Sequence, residues 1–254
     1  MSTQDWLKRR IRRFLLNVSH SGKPIHSEVT LLLCADDVGE VSMTLLELGL
    51  DAAKEAITHD LKGLQARTSH LDDSRWYANH PGDHYRFLAA LIRKLQPKRV
   101  IEIGTYTGMS SAALLTALAD DAKLVTFDIL PWNDFATHLR QEDFDSGKIS
   151  QVLGDLADSA FFSQHKSSFD QADFIFCDAP KDGVFEWKFL ELLTKLAPRP
   201  GRILMLDDIR LLNMVGVWKA IESPKVDLTS VGHWSGTGLV DLSKPLKFTG
   251  LPKD

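Results

Sequence analysis

Three aspartates and one lysine in the second half of this 254-residue chain are of the types that bind a divalent cation and move a proton. Asp178 and Lys181 follow the apolar run FIFC, and Asp207 and Asp208 follow ILML. Carboxylates brought together repel one another, at a cost of a few kcal/mol at partly buried sites, and a divalent cation removes that repulsion. Hard oxygen ligands select Mg²⁺, Ca²⁺ or Mn²⁺. We predict a metal site at Asp178, Asp207 and Asp208; the alternative is that each aspartate caps a helix or a turn.

Lys181 follows Asp178 by three positions. Next to a metal and a cationic ligand, a lysine experiences a like charge and partial desolvation, and both favour its neutral form. It could then accept a proton at neutral pH. The competing interpretation is an exposed lysine in a turn.

The segment VIEIGTYTGMSS, residues 100–111, has the pattern of a strand, a glycine-containing loop and the start of a helix. Such a loop offers free backbone N–H groups to a ligand. Its glycines, Gly104 and Gly108, do not match the G-x-G-x-x-G pattern of dinucleotide sites. Glu102, inside the strand, would repel a pyrophosphate and suits a ligand with a cationic end.

Asp128 ends the next predicted strand, where a carboxylate can accept both hydroxyls of a ribose. Ile129, next to it, could contact the face of an adenine. The alternative for Asp128 alone is a capping or turn aspartate. The loop and these two residues together favour a nucleoside ligand with a positive charge.

The elements that position these residues alternate between strand and helix after residue 80. This pattern predicts a Rossmann-like, doubly wound and mostly parallel α/β sheet with helices on both faces. The last two of seven predicted strands have only HWSG between them, too short for a crossover, so they pair antiparallel. Ligands of such sheets bind at the carboxyl ends of the strands. The predicted strands are 99–104, 123–129, 149–155, 173–179, 201–209, 225–232 and 237–243; the predicted helices are 84–95, 110–118, 135–141, 157–162, 184–196 and 214–222.

The first 80 residues have a different pattern and predict a helical N-terminal extension that caps the domain or mediates oligomerisation. Residues 7–18 form a basic amphipathic pattern. It is typical of a helix docked on its own domain or on a second subunit, and the alternative is a membrane-surface or nucleic-acid contact. A second helix is expected over 43–64, and residues 29–40 are ambiguous between helix and strand.

The composition is that of a soluble protein, 44% hydrophobic and 25% charged, with a formal net charge of −4. That charge gives no overall attraction to nucleic acid or anionic lipid. The two cysteines, Cys34 and Cys177, form no disulfide framework, and Cys177 is expected to be buried. A cytoplasmic location fits best, because no run reaches membrane-spanning length and no secretory signal is evident.

The motifs VIEIGTYTGMS, DAPKDG and LDDI together resemble those of class I S-adenosylmethionine-dependent methyltransferases, closest to the catechol and caffeoyl-CoA type of O-methyltransferase. The resemblance extends over residues 80–254 and implies a methyltransferase domain over 81–254. It implies that Asp178 binds metal, that Lys181 is the base, and that LDDI corresponds to an Asp-Asn metal pair. Two positions depart from the pattern: Asp208 replaces the Asn, and Pro180 replaces an aromatic residue of the catechol enzymes. Related sugar and antibiotic O-methyltransferases have an acidic pair, so the departures concern the substrate class.

The resemblance also implies how the cofactor and the acceptor are held. The loop after the first strand would hold the methionyl end of S-adenosylmethionine, with Glu102 on the cationic side and with loop N–H groups toward the carboxylate. His233 and Trp234, between the last two strands, would border the acceptor pocket. The implied cofactor residues are Glu102, Gly104, Thr105, Tyr106, Gly108, Ser110, Asp128, Ile129, Asp155 and Asp178.

These features predict a metal-dependent O-methyltransferase that acts on a hydroxyl of a small molecule, with a vicinal diol or a catechol as the expected acceptor. We expect Mg²⁺, or else Mn²⁺ or Ca²⁺, no nucleic-acid partner and no stable membrane insertion, and a homodimer is a candidate assembly. A non-catalytic S-adenosylmethionine-binding protein would not need the aspartates and Lys181 together. An RNA methyltransferase would need a basic face, which only residues 7–18 supply.

Overall fold

The computed structural model describes residues 39–78 and 84–249. The predicted helix over 7–18, most of the ambiguous segment 29–40 and Cys34 lie outside the described residues.

A seven-stranded sheet forms the centre of the molecule, with the strand order β3-β2-β1-β4-β5-β7-β6. Strands β1 to β5 pair in parallel, and β7 is antiparallel to both β5 and β6. The order reverses between β1 and β4, which is where open α/β sheets bind ligands. The predicted sheet, including its antiparallel C-terminal strand, is confirmed. The strands are β1 Arg99–Ile103, β2 Lys123–Asp128, β3 Ile149–Leu153, β4 Phe174–Cys177, β5 Ile203–Asp207, β6 Lys225–Asp227 and β7 Thr237–Asp241.

Helices cover both faces of this sheet. They are α1 Met43–Thr58, α2 Lys62–Arg67, α3 His84–Leu95, α4 Met109–Ala117, α5 Gln141–Asp145, α6 Ser159–Gln171, α7 Phe185–Leu193 and α8 Met214–Lys219, with 3₁₀ turns at Asp72–Ala78 and Trp132–Asp134. Alternate strand residues point to opposite faces. Val100 and Phe174 pack with α1, α3 and α4, whereas Ile101 and Ile175 pack with α6, α7 and α8. Cys177 is buried on the second face, as predicted, and burial raises the pKa of its thiol.

The predicted single helix over 43–64 is wrong, because α1 and α2 are separate helices. His59 takes an extended conformation that ends α1. Arg86 of α3 donates hydrogen bonds to the carbonyl of His59 at 2.7 Å and to that of Ile57 at 2.8 Å. A guanidinium therefore satisfies carbonyls that a continued helix would have bonded.

The predicted helix over 135–141 is also wrong: α5 begins at Gln141, and residues 135–140 are irregular. The N–H of His138 donates to the carbonyl of Thr107 at 2.8 Å, and the Thr137 hydroxyl donates to the same carbonyl at 3.1 Å. These bonds tie the segment to the loop after β1.

Helix α6 is longer than the predicted 157–162. Asp158 caps it by accepting a hydrogen bond from the N–H of Ala160 at 2.7 Å.

The predicted division of the chain at residue 80 stays a prediction. Leu45, Ala52 and Ala56 of α1 lie in the same buried cluster as Leu88 and Leu91 of α3. Within the described ranges, no helix is both long enough and apolar enough to cross a membrane.

Candidate functional site

The loop between β1 and α4 needs glycine at two positions. Gly104 has φ +98°, and a Cβ there would lie 2.2 Å from the carbonyl oxygen of Asp178. Gly108 has φ +79°, and a Cβ there would lie 2.5 Å from Cγ of Leu139. Only glycine takes such conformations without strain. The first glycine lets the β1 loop pack directly against the end of β4.

Glu102 is fully buried beneath the start of α4. Burial raises the pKa of Glu102 to about 7, although side-chain hydrogen bonds with Ser110, Ser111 and Thr126 act to lower it. The Ser111 hydroxyl donates to Oε2, while Oε1 has no hydrogen-bond partner in the described part of the chain. A buried carboxylate oxygen without a partner is available to a donor or a positive charge.

The two residues after Gly104 have different surroundings. Thr105 is buried, and its hydroxyl lies 2.7 Å from that of Thr126 and accepts from Nε2 of Gln151 at 3.1 Å. It therefore fastens the loop to β2 and β3. Tyr106 is half exposed, with φ +42°, and its ring lies edge-on to Phe135 at 5.0 Å.

Asp128, at the end of β2, accepts backbone hydrogen bonds on both carboxylate oxygens. The N–H of Tyr106 donates to Oδ2 at 2.8 Å and that of Ile129 to Oδ1 at 2.6 Å. The N–H of Leu130 also donates to Oδ1, at 3.2 Å. A carboxylate has about four lone-pair sites, so Asp128 keeps about one, on Oδ2, to accept from a ligand. Asp155 follows β3 and accepts from the N–H of Ala157 at 2.9 Å, which stabilises the turn before α6.

Asp178, Asp207 and Asp208 come together as predicted, with one carboxylate oxygen of each within 4.8 Å of the others. We call these three residues the acidic cluster. The Lys181 ammonium pairs with Asp178, lies 2.8 Å from Oδ2 of Asp208 and lies 4.0 Å from Oδ2 of Asp207. Lys181 thus supplies the positive charge of the acidic cluster in this structure.

Lys181 is only 1% exposed, so the interpretation as an exposed turn lysine is wrong. Its φ is +55°, a left-handed conformation that costs energy outside glycine. Oε1 of the buried Glu186 accepts a 2.6 Å hydrogen bond from the Lys181 N–H. Glu186, on α7, was not identified from the sequence. A single acidic residue among the apolar residues of this helix has the pattern of an ordinary surface position.

His233, in the loop between β6 and β7, lies 3.0 Å from Oδ1 of Asp207 and 3.4 Å from Oδ1 of Asp208 through its Nδ1. Burial acts to lower the pKa of His233, but the two aspartates outweigh it and raise that pKa to about 11. Burial likewise acts to raise the pKa of Asp208, yet Lys181 and His233 hold it well below its usual range. His233 is therefore a cation at neutral pH. Trp234 beside it is 52% exposed.

His84, the first residue of α3, also reaches Asp207, with its Nδ1 3.4 Å from Oδ1. Its ring lies 4.9 Å from that of His233, nearly perpendicular at 78°. Sequence reasoning did not identify His84 as a site residue, because it lies far from Asp207 along the chain and outside the motifs VIEIGTYTGMS, DAPKDG and LDDI. Only its place on the helix that leads into β1 could have suggested that it lies near the sheet edge.

Comparisons with known proteins identify the family of this chain. A family model described as O-methyltransferase matches residues 53–225. The chain is 35% identical over 146 residues to caffeoyl-CoA O-methyltransferase 2 of Zea mays, covering 52% of each, and 29% identical over 138 residues to the probable caffeoyl-CoA O-methyltransferase 3 of Dictyostelium discoideum, covering 54% of each. It spans about half the length of these curated relatives.

Solved structures of methyltransferases are similar at lower identity. A SAH-bound methyltransferase from Podospora anserina is 17% identical with a TM-score of 0.45, over 75% of this chain and 87% of that one. The O-methyltransferase TomG from Streptomyces achromogenes is 22% identical with a TM-score of 0.40, over 61% of this chain and 76% of that one.

Proposed function

Because the chain belongs to the O-methyltransferase family, we propose that it transfers the methyl group of S-adenosylmethionine to a hydroxyl group of a small molecule, with a divalent cation at the acidic cluster. The observation that carries this proposal is the convergence of Asp178, Asp207 and Asp208 around Lys181. The cluster adjoins the β1 loop, since Gly104 packs on the Asp178 carbonyl.

The proposed cofactor site extends along the loop after β1. Glu102 offers an unpartnered buried oxygen toward a cationic ligand, and Asp128 keeps a lone-pair site on Oδ2 for a ribose hydroxyl. Thr105 and Gly108 shape the loop, and Ser110 helps to orient Glu102. In this proposal Tyr106, Ile129 and Asp155 would flank the nucleoside. Asp178 borders both the cofactor and the acidic cluster.

The acidic cluster suits a hard divalent cation, because all of its ligand atoms are carboxylate oxygens. We propose Mg²⁺, with Mn²⁺ and Ca²⁺ as alternatives. When bound, such an ion lowers the pKa of a coordinated hydroxyl and orients it. A cation and the Lys181 ammonium compete for the same carboxylates, so binding of the ion requires Lys181 to move away from Asp178 and Asp208.

Lys181 acts as the base in this proposal. An ammonium has no lone pair, so Nζ would accept the substrate proton only after leaving its ion pairs and losing its own proton to solvent. The deprotonated substrate oxygen would then bond to the methyl carbon as the bond from that carbon to sulfur breaks, and S-adenosylhomocysteine would leave. Glu186 keeps the Lys181 backbone fixed while Nζ moves. His233 is charged at neutral pH and acts as a hydrogen-bond donor to Asp207 rather than as a base. Positioning of the reactants supplies most of the catalysis, about 7–11 kcal/mol in well-oriented reactions.

The acceptor would lie beside His233 and the exposed Trp234. The matched relatives are named for caffeoyl-CoA, so a catechol is the first acceptor to test. Because Asp208 and Pro180 depart from the pattern of the catechol enzymes, a sugar diol and a hydroxylated antibiotic are the next acceptors to test. Cytoplasmic location and a homodimer stay predictions.

A methyl-transfer screen with labelled S-adenosylmethionine tests the proposal. Catechols, vicinal diols and an RNA control are each assayed with Mg²⁺ and with EDTA. We expect transfer to a small-molecule hydroxyl that EDTA stops and that Mg²⁺ or Mn²⁺ restores. Full activity in EDTA would contradict the metal role. S-adenosylhomocysteine binding without transfer to any acceptor would favour the non-catalytic alternative, and transfer to RNA alone would favour the RNA methyltransferase.

A further inference from the structure

His84, Asp207 and His233 form a second group of metal-binding side chains, which we call the histidine cluster. One ligand atom of each lies within 4.8 Å of the other two. Two ligands on opposite sides of a metal with bonds of about 2.1 Å lie about 4 Å apart. Small side-chain shifts would therefore bring the three atoms around one ion.

We propose that the histidine cluster binds a divalent transition-metal cation of the class of Zn²⁺, Co²⁺ or Fe²⁺, through two imidazole nitrogens and one carboxylate oxygen. This site differs in its ligands from the acidic cluster. Its only link to the proposed function is Asp207, which belongs to both clusters.

The state of the His84 side chain supports this proposal independently of the acidic residues. His84 is 2% exposed, and neither ring nitrogen makes a hydrogen bond to any described residue. The 3.4 Å contact with Asp207 brings charges close without forming a hydrogen bond. Burying an imidazole without partners is unfavourable, and a metal ion would use the nitrogen lone pair.

Aromatic rings hold the His84 ring in place. The Tyr85 ring lies 4.4 Å away and the Phe176 ring 5.6 Å away, centroid to centroid. An apolar surrounding of this kind restricts water around a metal ligand. His84 is thus oriented toward Asp207 and His233 without a hydrogen bond of its own.

The two oxygens of Asp207 face different groups. Oδ1 lies 3.0 Å from His233 and 3.4 Å from His84, whereas Oδ2 lies 4.0 Å from Nζ of Lys181. One oxygen therefore belongs to the histidine cluster and the other to the acidic cluster. The two sites can be disturbed separately by changing residues that they do not share.

The donor atoms decide the class of the ion. Imidazole nitrogen suits zinc, iron, copper and nickel, whereas carboxylate oxygen alone suits magnesium, calcium and manganese. Two histidines and one carboxylate with open positions are a common arrangement for Fe²⁺. Because His233 carries a proton that pairs with Asp207, the ion would displace that proton to solvent as it binds, and its affinity should fall in acid. The competing explanation is that His233 stays an imidazolium paired with Asp207 and Asp208, with no role for a metal.

Metal binding to the full, tag-free and chelator-treated chain tests the proposal. Co²⁺ is added while visible absorption reports nitrogen coordination, and Zn²⁺ affinity is measured by calorimetry. We expect Co²⁺ bands in the wild type, and His84→Ala should weaken Zn²⁺ binding at least tenfold, since loss of an outer-shell partner already costs 10–100-fold. His165→Ala is the matched control, because His165 also packs against aromatic rings, Phe127 and Phe161, but outside the cluster.

X-ray absorption at the zinc edge supplies a readout that needs no variant: the wild type with one equivalent of Zn²⁺ should show two imidazoles. His84→Gln, closer in size to histidine, replaces His84→Ala if the latter fails to fold, and should show one. Absence of imidazole from the wild-type zinc spectrum, or unchanged Zn²⁺ affinity in both His84 variants, would overturn the proposal.

Asp178→Ala separates this inference from the proposed function. We expect it to abolish Mg²⁺-dependent methyl transfer and to keep Zn²⁺ and Co²⁺ binding. Loss of Zn²⁺ binding in Asp178→Ala, together with unchanged binding in the His84 variants, would assign the ion to the acidic cluster. That result would contradict the histidine site and leave the proposed function standing.

Discussion

At the scale of single residues, the site depends on charges buried next to one another. Lys181, Asp207 and Asp208 are all nearly inaccessible to solvent. Buried charges persist only when partners compensate the loss of hydration. The lysine and His233 provide that compensation, so a change in one charge alters the state of the others.

Replacement of Lys181 tests its role as the base. In Lys181→Ala, kcat should fall about 10²- to 10⁴-fold, the usual contribution of a general base. S-adenosylhomocysteine affinity, measured by calorimetry, should be retained, because the proposed cofactor site lies mainly at the ends of β1 and β2. The exposed Lys188→Ala is the control. Full activity in Lys181→Ala would transfer proton removal to another group.

Replacement of Asp128 tests the ribose site. Asp128→Ala should weaken S-adenosylhomocysteine binding by about 1.5–3 kcal/mol, the contribution of hydrogen bonds to a charged group. Calorimetry measures this loss. Asp158→Ala, which removes an aspartate that only caps α6, should leave the affinity unchanged. Equal affinity of wild type and Asp128→Ala would remove Asp128 from the cofactor site.

Glu102 should make stability depend on pH, because its pKa is raised from 4.5 to about 7 in the folded protein. The folded state holds this proton more tightly than the unfolded state, so the stabilisation is complete below pH 4.5 and is lost as the pH rises to about 7. Relative to Glu102→Gln, the unfolding free energy of the wild type should fall by up to about 3 kcal/mol across that range.

Urea unfolding at several pH values between 4 and 8 measures this difference, with the exposed Glu191→Gln as the control. Parallel pH profiles for the wild type and Glu102→Gln would show that Glu102 titrates normally in the folded protein.

At the scale of elements, the β1 loop joins the two halves of the site. Gly104 packs on the end of β4, and the carbonyl of Thr107 accepts hydrogen bonds from residues 137 and 138. The irregular segment before α5 therefore packs against the loop in which we propose the cofactor site, although the amphipathic sequence of FATHLRQ predicts a helix there. Three segments that are distant in sequence fix the shape of this loop.

Substitution of Gly104 tests that packing. In Gly104→Ala, the new Cβ would meet the Asp178 backbone, which cannot move without shifting the acidic cluster. Stability should fall by about 1–3 kcal/mol, as for a strained backbone position, and both S-adenosylhomocysteine and Mg²⁺ binding should weaken. Thermal unfolding and calorimetry measure these effects.

Gly63→Ala is the matched control, because a Cβ at Gly63 in α2 meets no atom within 4 Å. It should be neutral or slightly stabilising, since alanine favours a helix. If Gly104→Ala were as stable as Gly63→Ala, the β1 loop would have to tolerate a side chain by moving away from β4.

At the scale of the whole molecule, the sheet brings all the proposed groups to one edge. The carboxyl ends of β1, β2, β4 and β5 carry the cofactor and acidic residues, and the loop before β7 adds His233 from the antiparallel side. Helix α3 adds His84 from the face that α1 covers. The site therefore forms only when both layers of helices are in place.

Deletion of residues 1–20 tests the expected role of the N-terminal segment, which lies outside the described residues. Its basic amphipathic sequence predicts docking on the body or on a second subunit. The deletion should lower the melting temperature or change the mass in light scattering. If only liposome or RNA binding were lost, the docking hypothesis would be wrong.

The sequence by itself determined the sheet and most of the residues at its edge. Apolar runs such as VIEI and FIFC are strands because they are short, rich in β-branched or aromatic residues and followed by turn residues. Since parallel strands end at the same edge of a sheet, the sequence also predicted that Asp178 lies close to Asp207 and Asp208. These inferences use only local pattern and the rules of parallel sheets.

Only the tertiary structure decided which charges neutralise one another and where helices stop. Lys181, which has a left-handed backbone conformation, is buried against Asp178 and Asp208, and His84 meets Asp207 because α3 packs against the sheet. Arg86 ends α1, and Thr107 holds residues 137 and 138 out of a helix. Each outcome comes from a contact between residues far apart in the chain. The energy of such a contact exceeds the local conformational preference, which is all that a sequence pattern reports.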